Sequence, residues 1–393
     1  NELLLANARL TRLRNAAIDN AQLRDLLGVV ERSGLDVQLV PILDIEQLVV
    51  QGRLVLSVAV DADAVDGVDA LAQSLGLELD VTRECIDVVN RTAATAVVVL
   101  MAPTLRAADI ARVAGEIAEQ GGNIERIVRI ADYPVTAVEV TVSGVSATAL
   151  KHSLGPVSRE IGIDVAVQSA AIIRHGARLV VMDVDSTLIQ DEVIDLLARE
   201  AGCEAAVAEV TERAMAGELD FASSLQQRVA ALAGTPESAL AAVRDAVRMT
   251  PGARTLCRTL VSLGYRLALV SGGFEEIVGP LAAATGVHRF RANRLEVVDG
   301  KLTGRVIPPI VDRAGKAQAL REFAEEFGFD LSRTVAIGDG ANDLDMLATA
   351  GLGVAFNAKP AVAEAADAAV TAPYLDSVLY LLGITREQVQ ALG

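Results

Sequence analysis

The sequence predicts an α/β fold in which a Rossmann-like parallel sheet with a helical insertion follows two smaller, ferredoxin-like βαββαβ units. Two observations carry this prediction. After residue 176, short apolar runs that favour strands ("RLVVM", "RLALV", "TVAIG" and "LGVAF") alternate with helical stretches, as in parallel sheets covered on both faces. Between residues 95 and 170 the pattern reads strand, helix, strand, strand, helix, strand, which is the order of a split βαβ unit.

The βαββαβ pattern is clearest in the second of the two smaller units. Its strands are predicted at "TAVVVLMAP", "NIERIVRIADY", "VTAVEVTVSG" and "DVAVQSA". Gly121 and Gly122 follow its first helix, where a glycine C-cap is expected. The first unit is a weaker copy, with two strands around Gln51 and Gly52 and a helix on each side, but its own first strand is not recognisable.

The larger α/β part has two further features. A mainly helical tract at about residues 195–250 separates its first two strands and would form a lid beside the strand end where open α/β sheets bind ligands. Residues 293–306 predict a hairpin that turns at Asp299 and Gly300. We therefore expect three domains, at residues 1–92, 93–172 and 173–393, with the lid inside the third.

Composition narrows the possible partners. The chain has 393 residues, of which 52% are apolar, and a formal net charge of −17, which disfavours nucleic acids and anionic membranes as partners. Its longest strongly apolar run, "TAVVVLMA", is shorter than the roughly 20 residues of a membrane helix. Because the first residues also lack the layout of a signal peptide, we expect a cytoplasmic protein.

Two acidic motifs point to a metal site. In "RLVVMDVDSTLIQDEV", Asp183 and Asp185 follow a predicted strand and, at positions i and i+2, would point the same way. Their repulsion needs a compensating charge, and carboxylate oxygens suit a hard cation such as Mg²⁺. A second motif, "TVAIGDGANDLDML", places Asp339, Asn342 and Asp343 after a later strand of the same sheet. The sequence therefore predicts that both motifs share one cation.

Two further elements suit a phosphate group. In "LVSGGF", Ser271 and the following glycines end a strand and offer a hydroxyl and free backbone N–H groups. Lys316, in "DRAGKAQAL", lies near a predicted helix start and offers a positive charge. Taken singly, the DxD and SGG motifs could be turns and the lysine could be solvated. All four elements in order, each near the end of a successive strand, are hard to explain as structure alone.

These four elements, DxDST, SGG, Lys and GDGxND, resemble the haloacid dehalogenase superfamily over about residues 176–382. The stretches "DVDSTLIQDEVIDLLA", "TERAMAGELDFASSLQQRV" and "GDGANDLDMLATAGLGVAFNAKP" are similar to those of members that hydrolyse O-phospho-L-serine, the last step of serine biosynthesis. The two βαββαβ units resemble the tandem ACT domains that precede the catalytic domain in actinobacterial enzymes of this type. The fold that the resemblance implies is a haloacid dehalogenase core with a helical cap behind two ACT domains.

The resemblance also implies a role for each motif residue. Asp183 would attack phosphorus and form an aspartyl-phosphate, and Asp185 would act as general acid and then as general base. Mg²⁺ would bind to Asp183, the carbonyl of Asp185 and Asp339, with Asp343 supporting the site. The phosphate oxygens would contact Ser271, Gly272, Lys316 and Asn342.

Specificity would come from the helical insertion. By resemblance, Glu192 would receive the substrate ammonium and Arg228 its carboxylate, while Met215 and Phe221 would close the lid. A separated carboxylate and guanidinium suit the two charges of an amino acid. Each residue also has a simpler interpretation, because Glu192 could be a helix-start charge, Arg228 a surface residue and Phe221 an ordinary core residue.

The partners implied are O-phospho-L-serine as substrate, L-serine as a possible effector at the ACT domains, and a second copy of the chain in a homodimer. Two alternatives stay open from the residues alone. One is a related phosphatase or phosphotransferase acting on another small phosphomonoester. The other is an amino-acid sensor with an inactive phosphatase domain, which the presence of Asp183, Asp185, Lys316 and Asp339 disfavours.

Overall fold

The structure, a computed structural model, describes residues 4–5, 42–50, 53–60, 84–85, 95–170 and 178–392, with side chains from Thr95 onward except those of Ala107 and Met215. The chain divides into two compact units, residues 1–92 and 93–393. Among the described residues, none of the helices combines the length and the apolar character that crossing a membrane requires.

In the first unit the structure describes four strands, β1 (Leu4–Leu5), β2 (Ile42–Val50), β3 (Arg53–Val60) and β4 (Glu84–Cys85). β2 and β3 form an antiparallel hairpin in which Val50 lies opposite Arg53, so the two strands predicted around Gln51 and Gly52 are confirmed. β1 pairs with β4, although no strand was recognisable in the sequence at β1. The two helices predicted for this unit lie outside the described residues.

The second unit begins with the predicted βαββαβ pattern. Its elements are β5 (Ala96–Ala102), α1 (Ala107–Glu119), β6 (Asn123–Ala131), β7 (Thr136–Ser143), α2 (Ala147–Ile161) and β8 (Asp164–Ser169). They form an antiparallel sheet in the order β6-β7-β5-β8. Side chains alternate between the faces of β5: Val98 and Leu100 pack in the helix-covered core, whereas Val99 and Met101 join the core of the α/β part.

The α/β part of this unit is built on a seven-stranded sheet in the order β12-β11-β10-β9-β13-β14-β15. Its strands are β9 (Leu179–Met182), β10 (Arg266–Phe274), β11 (Arg289–Val298), β12 (Lys301–Ile307), β13 (Thr334–Gly338), β14 (Leu352–Phe356) and β15 (Ala368–Val370). All neighbours are parallel except β11 and β12. β9 is central and its four residues are fully buried, which explains its uninterrupted apolar sequence.

The helices of this part fall into three groups, and the predicted helical insertion is confirmed as the first. Between β9 and β10 come α3 (Val193–Ala201), α4 (Glu204–Met215), α5 (Phe221–Ala230), α6 (Ser238–Ala246) and α7 (Ala253–Ser262). Between β10 and β13 come α8 (Glu275–Thr285) and α9 (Arg313–Phe327). The remainder are α10 (Leu344–Thr349), α11 (Pro360–Ala365), α12 (Val378–Leu381) and α13 (Arg386–Ala391).

The predicted hairpin of the α/β part is also confirmed. Asp299 and Gly300 connect β11 to β12 with φ angles of 51° and 70°. Positive φ at both central residues is what the type I′ hairpin turn requires, and Asp-Gly adopts it at low cost. The insertion is hydrogen-bonded to this hairpin, because the N–H of Gly234 donates to the carbonyl of Leu302 over 2.8 Å.

The antiparallel sheet packs directly on the α/β part. The carboxylate of Asp164 in β8 accepts hydrogen bonds from the N–H of Thr371 over 2.9 Å and from its hydroxyl over 3.2 Å. The hydroxyl of Tyr380 in α12 donates to the carbonyl of Tyr133 over 3.2 Å. These polar contacts flank a shared apolar core, so the two sheets form one continuous packed body.

Candidate active site

The first acidic motif is shaped by a sharp turn at the end of β9. The N–H of Asp183 continues the sheet by donating to the carbonyl of Ile337 over 2.9 Å. Asp185 is extended, and Ser186 follows with a φ of 55°, a left-handed conformation uncommon outside glycine. This reversal places Asp183 and Asp185 at the carboxyl end of the central strand, as the sequence predicts.

Three carboxylates converge at this end of the sheet. One oxygen each of Asp183, Asp339 and Asp343 lies within 4.8 Å of the other two. Asp339 and Asp343 come from the loop and short helical turn after β13, which is parallel and adjacent to β9. The two acidic motifs therefore meet because their strands are neighbours.

Lys316, on α9, supplies the counter-charge that this acidic cluster needs. Its ammonium lies 2.8 Å from Oδ1 of Asp183 and 2.7 Å from Oδ1 of Asp343, and the side chain is only 1% exposed. Although burial opposes the charged form, these two carboxylates raise the pKa of Lys316. One ammonium among three carboxylates leaves an excess of negative charge, which a divalent cation with oxygen ligands would balance.

Asp185 occupies a different environment from Asp183. Its Oδ1 accepts a hydrogen bond from the N–H of Val193 over 2.8 Å, and its Oδ2 accepts one from the hydroxyl of Ser271 over 3.0 Å. Its carboxylate is therefore not part of the acidic cluster. Burial raises the pKa of Asp185 despite these hydrogen bonds, which favours the protonated form that a general acid needs.

The two glycines after Ser271 are required because other side chains approach their backbone closely. A Cβ atom at Gly272 would lie 2.9 Å from the ring of Phe221, and one at Gly273 would lie 2.9 Å from Oδ2 of Asp185. The N–H of Gly273 donates to the Ser271 hydroxyl over 2.8 Å. The SGG motif thus lets both Phe221 of the helical insertion and the carboxylate of Asp185 approach the end of β10.

These motifs surround a cavity of about 810 Å³. Most of the predicted site residues line it, namely Asp183, Asp185, Glu192, Phe221, Arg228, Gly272, Asp339 and Asn342. Three others, Ser271, Lys316 and Asp343, are buried behind the wall, where they contact residues that do line it. Met215 ends α4, and its side chain lies outside the described residues.

Glu192 and Arg228 bring opposite charges to the same cavity. The hydroxyl of Ser186 donates to Glu192 over 2.8 Å, yet burial and the charge of Asp185 raise the pKa of Glu192 to about 7. Arg228, on α5 of the insertion, has a buried Nε atom with no hydrogen-bond partner. Among the described side chains, Glu192 and Arg228 form no ion pair with each other, so both charges remain open to a ligand.

Two polar residues that sequence reasoning missed also shape the site. The buried side chain of Asn293 donates to the carbonyl of Gly272 over 2.8 Å and accepts from the N–H of Val311 over 2.7 Å. The hydroxyl of Thr187 donates to Asp339 over 3.0 Å. The sequence signal for Asn293 was an asparagine inside an otherwise alternating strand. The signal for Thr187 was the Ser-Thr pair after the DxD motif.

Comparison with known families supports both parts of this unit. A model of the haloacid dehalogenase-like hydrolases matches residues 180–348. A model of the ACT domain matches residues 94–168. The boundaries enclose the acidic motifs in the first case and the antiparallel sheet with its two helices in the second.

The chain is similar to known enzymes over most of its length. It is 54% identical to a phosphoserine phosphatase of Streptomyces coelicolor over 359 residues, and 48% identical to one of Mycobacterium tuberculosis over 362 residues. Each alignment covers 90% of this chain and 88% of the relative. A solved structure of a phospho-aspartyl intermediate analogue of phosphoserine phosphatase matches with a TM-score of 0.50 and 40% identity, over 52% of this chain and 98% of that one.

Proposed function

The chain belongs to the phosphoserine phosphatases among the haloacid dehalogenase-like hydrolases, and we propose that it hydrolyses O-phospho-L-serine to L-serine and phosphate. The observation that carries this proposal is the division of two neighbouring carboxylates between two environments. Asp183 contacts Lys316 and belongs to the acidic cluster, whereas Asp185 accepts hydrogen bonds from Ser271 and Val193 outside that cluster. Burial raises the pKa of both carboxyls, and a cation bound at the cluster would favour the charged form of Asp183. Such a division assigns a nucleophile and an acid.

The hydrogen bonds of Asp183 prepare one oxygen for attack. Its Oδ1 accepts from the N–H of Val184 over 2.8 Å and contacts Lys316, so Oδ2 is the oxygen that would bond to phosphorus. As that bond forms, the bond from phosphorus to the serine oxygen breaks, and the proton of Asp185 moves to the leaving oxygen. A water molecule would then attack phosphorus while Asp185 takes its proton, which releases phosphate and restores Asp183.

The acidic cluster fits a divalent cation, and we propose Mg²⁺. The residues that would hold it are Asp183, Asp339, Asp343 and the carbonyl of Asp185. Their oxygen atoms are the ligands this hard cation prefers, and Lys316 neutralises only part of their charge. When bound, Mg²⁺ supplies positive charge that stabilises the transferring phosphoryl group.

For the substrate we propose two recognition regions. Ser271, Gly272, Lys316 and Asn342 would hold the phosphate, and the lid residues Met215 and Phe221 would cover it. Glu192 would bind the ammonium group and Arg228 the carboxylate. The partnerless buried Nε of Arg228 supports this role, because a buried guanidinium donor without a partner is costly until a ligand oxygen satisfies it.

We further propose the domain arrangement and the partners that the sequence predicts. Residues 1–92 and 93–172 would be two ACT-like domains and residues 173–393 the phosphatase domain with its cap. The protein would be cytoplasmic and would form a homodimer, which light scattering at micromolar concentration can test. L-serine would act as an effector at the ACT domains, which would make its inhibition of turnover noncompetitive with O-phospho-L-serine.

A substrate series with one lid variant tests the proposed function. Phosphate release is measured for O-phospho-L-serine, phosphoethanolamine, which lacks the carboxylate, and 3-phosphooxypropanoate, which lacks the ammonium. We expect kcat/KM of the wild type to be highest for O-phospho-L-serine. Arg228→Met should lower that value by roughly 10- to 100-fold through the loss of a charge-assisted hydrogen bond, while leaving phosphoethanolamine nearly unchanged.

Lysine at the same position gives the matched control. Arg228→Lys keeps the charge but loses the planar pair of donors, so it should retain part of the preference. Equal losses on O-phospho-L-serine and phosphoethanolamine would contradict the role of Arg228. Higher activity of the wild type on another phosphomonoester would keep the chemistry and overturn the substrate.

A further inference from the structure

A second, smaller cavity lies at the opposite end of the seven-stranded sheet. It has a volume of about 180 Å³ and lies where α2 of the ACT domain meets the amino ends of β9, β13 and β14. Its lining includes Thr148, Lys151, Gln168, Arg178, Ser332 and Asp367. None of these residues takes part in the chemistry proposed for the larger cavity.

Arg178 is the unusual residue of this smaller cavity. It is only 3% exposed, and its one hydrogen bond to a described side chain runs from Nη1 to Oε1 of Gln168 over 3.0 Å. Its Nε atom is buried and has no hydrogen-bond partner. No carboxylate of the described residues forms an ion pair with it, so within that part of the chain this buried cation lacks a counter-charge, which is unfavourable.

The neighbouring side chains of the cavity do not supply that counter-charge. The amide of Gln168 is neutral, and its Nε2 already donates to the carbonyl of Leu381. Asp367 pairs with Lys151 through one oxygen and accepts from the N–H of Gly353 through the other, over 2.8 Å. Each oxygen of the Asp367 carboxylate therefore already has a partner, and neither is paired with Arg178.

The first turn of α2 adds further donors to the cavity. Ser146 caps the N–H of Ala149 and its carbonyl accepts from the N–H of Leu150, but the N–H groups of Ala147 and Thr148 have no acceptor among the described residues. Both residues line the cavity, and the first turn carries no acidic residue. Free N–H groups at the start of a helix favour an anion, and here they adjoin a buried guanidinium.

From this combination we infer that the smaller cavity binds a small oxyanion, a carboxylate or a phosphate group, anchored by Arg178 and the first turn of α2. Its volume equals that of about six water molecules in the liquid, which is enough for a phosphate ion or a small amino acid. Drug-sized ligands and cofactors generally need pockets of about 300 Å³ or more. The size of the cavity therefore favours a small oxyanion over a nucleotide.

A ligand at this place would join the two domains of the second unit. It would contact α2 of the ACT domain on one side and the amino end of β9 on the other. Asp183 directly follows the other end of β9. Binding would thus strengthen the junction at the strand that carries the proposed nucleophile, at a site separate from the larger cavity.

Hydrogen exchange on the full chain, read by mass spectrometry, tests the inference with inorganic phosphate and with L-serine as probes. We expect one or both probes to slow exchange in peptides that cover residues 147–151. The key variant is Thr148→Glu, which places a carboxylate beside Arg178 at an exposed position of a helix first turn, where acidic residues are tolerated. It should raise the apparent dissociation constant at these peptides about tenfold or more.

Thr148→Gln is the matched control, because it has the same size without the charge, and it should bind like the wild type. In Arg178→Met the probes should no longer slow exchange at residues 147–151. If Arg178→Met does not fold, Thr148→Glu tests the inference instead. Protection by phosphate alone or by L-serine alone would identify which oxyanion the site takes. Absence of protection with both probes, or equal protection in Thr148→Glu and Thr148→Gln, would overturn the inference, whatever happens in peptides around Asp183.

Discussion

Two buried cations lie at opposite ends of the central sheet, and their surroundings differ. At the carboxyl end, Lys316 lies between Asp183 and Asp343. At the amino end, the hydrogen-bond partner of Arg178 among the described side chains is the neutral amide of Gln168. The first end therefore carries excess negative charge and the second excess positive charge, so one requires a cation and the other an anion.

The difference follows from what covers each end. The carboxyl ends of β9 and β13 open into the larger cavity, where acidic loops can meet a metal and a phosphate. The amino ends of the strands face the ACT domain, and α2 approaches them with its first turn. Burial by a helix start, which itself carries partial positive charge, cannot compensate an arginine.

The largest expected effect is a loss of turnover caused by a change at the carboxyl end of the sheet alone. Asp183→Asn removes the nucleophile but keeps the shape of the side chain, so turnover of O-phospho-L-serine should fall by about 10⁴-fold or more. Steady-state phosphate release measures this loss, and circular dichroism checks the fold. Retention of a tenth of the wild-type rate would exclude Asp183 as nucleophile. Anion binding at residues 147–151 should be unaffected.

The next effect compares the two cations directly. Lys316→Met leaves buried carboxylates without their partner and should lower the free energy of unfolding by about 3–5 kcal/mol. Arg178→Met leaves no unpaired charge and should change it by no more than about 1 kcal/mol. Urea unfolding at pH 7, without added metal or phosphate, measures both values.

A double variant provides the control for this pair. In Lys316→Met combined with Asp343→Asn, the loss should be smaller than in Lys316→Met alone, because one of the stranded charges is gone. Equal losses for Lys316→Met and Arg178→Met would mean that the two cations are compensated alike, contrary to the described contacts.

A smaller effect concerns the charge at the domain junction. Burial raises the pKa of Asp164 to about 6, although Thr371 donates two hydrogen bonds to it. The folded state thus binds a proton more tightly than the unfolded state does, so stability falls as pH rises from about 4 to about 6. By this linkage the ionised carboxylate costs at most roughly 3 kcal/mol at pH 7.

Asp164→Asn removes this titration while keeping an oxygen that can accept from Thr371. Relative to the wild type, the variant should therefore be more stable at pH 7 than at pH 4. This gain in relative stability should develop between these two pH values. Chemical unfolding across this pH range measures the difference. A difference that stays constant with pH would show that Asp164 titrates normally in the folded protein.

The sequence by itself determined which elements exist and which chemistry they carry. Apolar runs of strand length predicted the core strands, and Asp299-Gly300 predicted the hairpin turn, because both depend on local periodicity and backbone preference. The DxD and GDGxND motifs identified Asp183, Asp339 and Asp343 as a cluster before any contact was known. Neighbouring parallel strands place their ends side by side, so order along the chain was enough for that prediction.

Only the tertiary structure determined which hydrogen-bond and ion-pair partners the side chains have. Lys316 was expected as a counter-charge, but its pairing with Asp343 depends on how α9 packs beneath the loop after β13. The hydroxyl of Ser271 contacts Asp185, and Asn293 holds the carbonyl of Gly272, neither of which has a local signature. Arg178 is an ordinary residue before an apolar strand in the sequence, and only the packing of the ACT domain against the strand ends buries it beside Gln168, with no ion pair among the described residues. Burial and pairing are properties of surfaces brought together from distant parts of the chain, and local pattern does not record them.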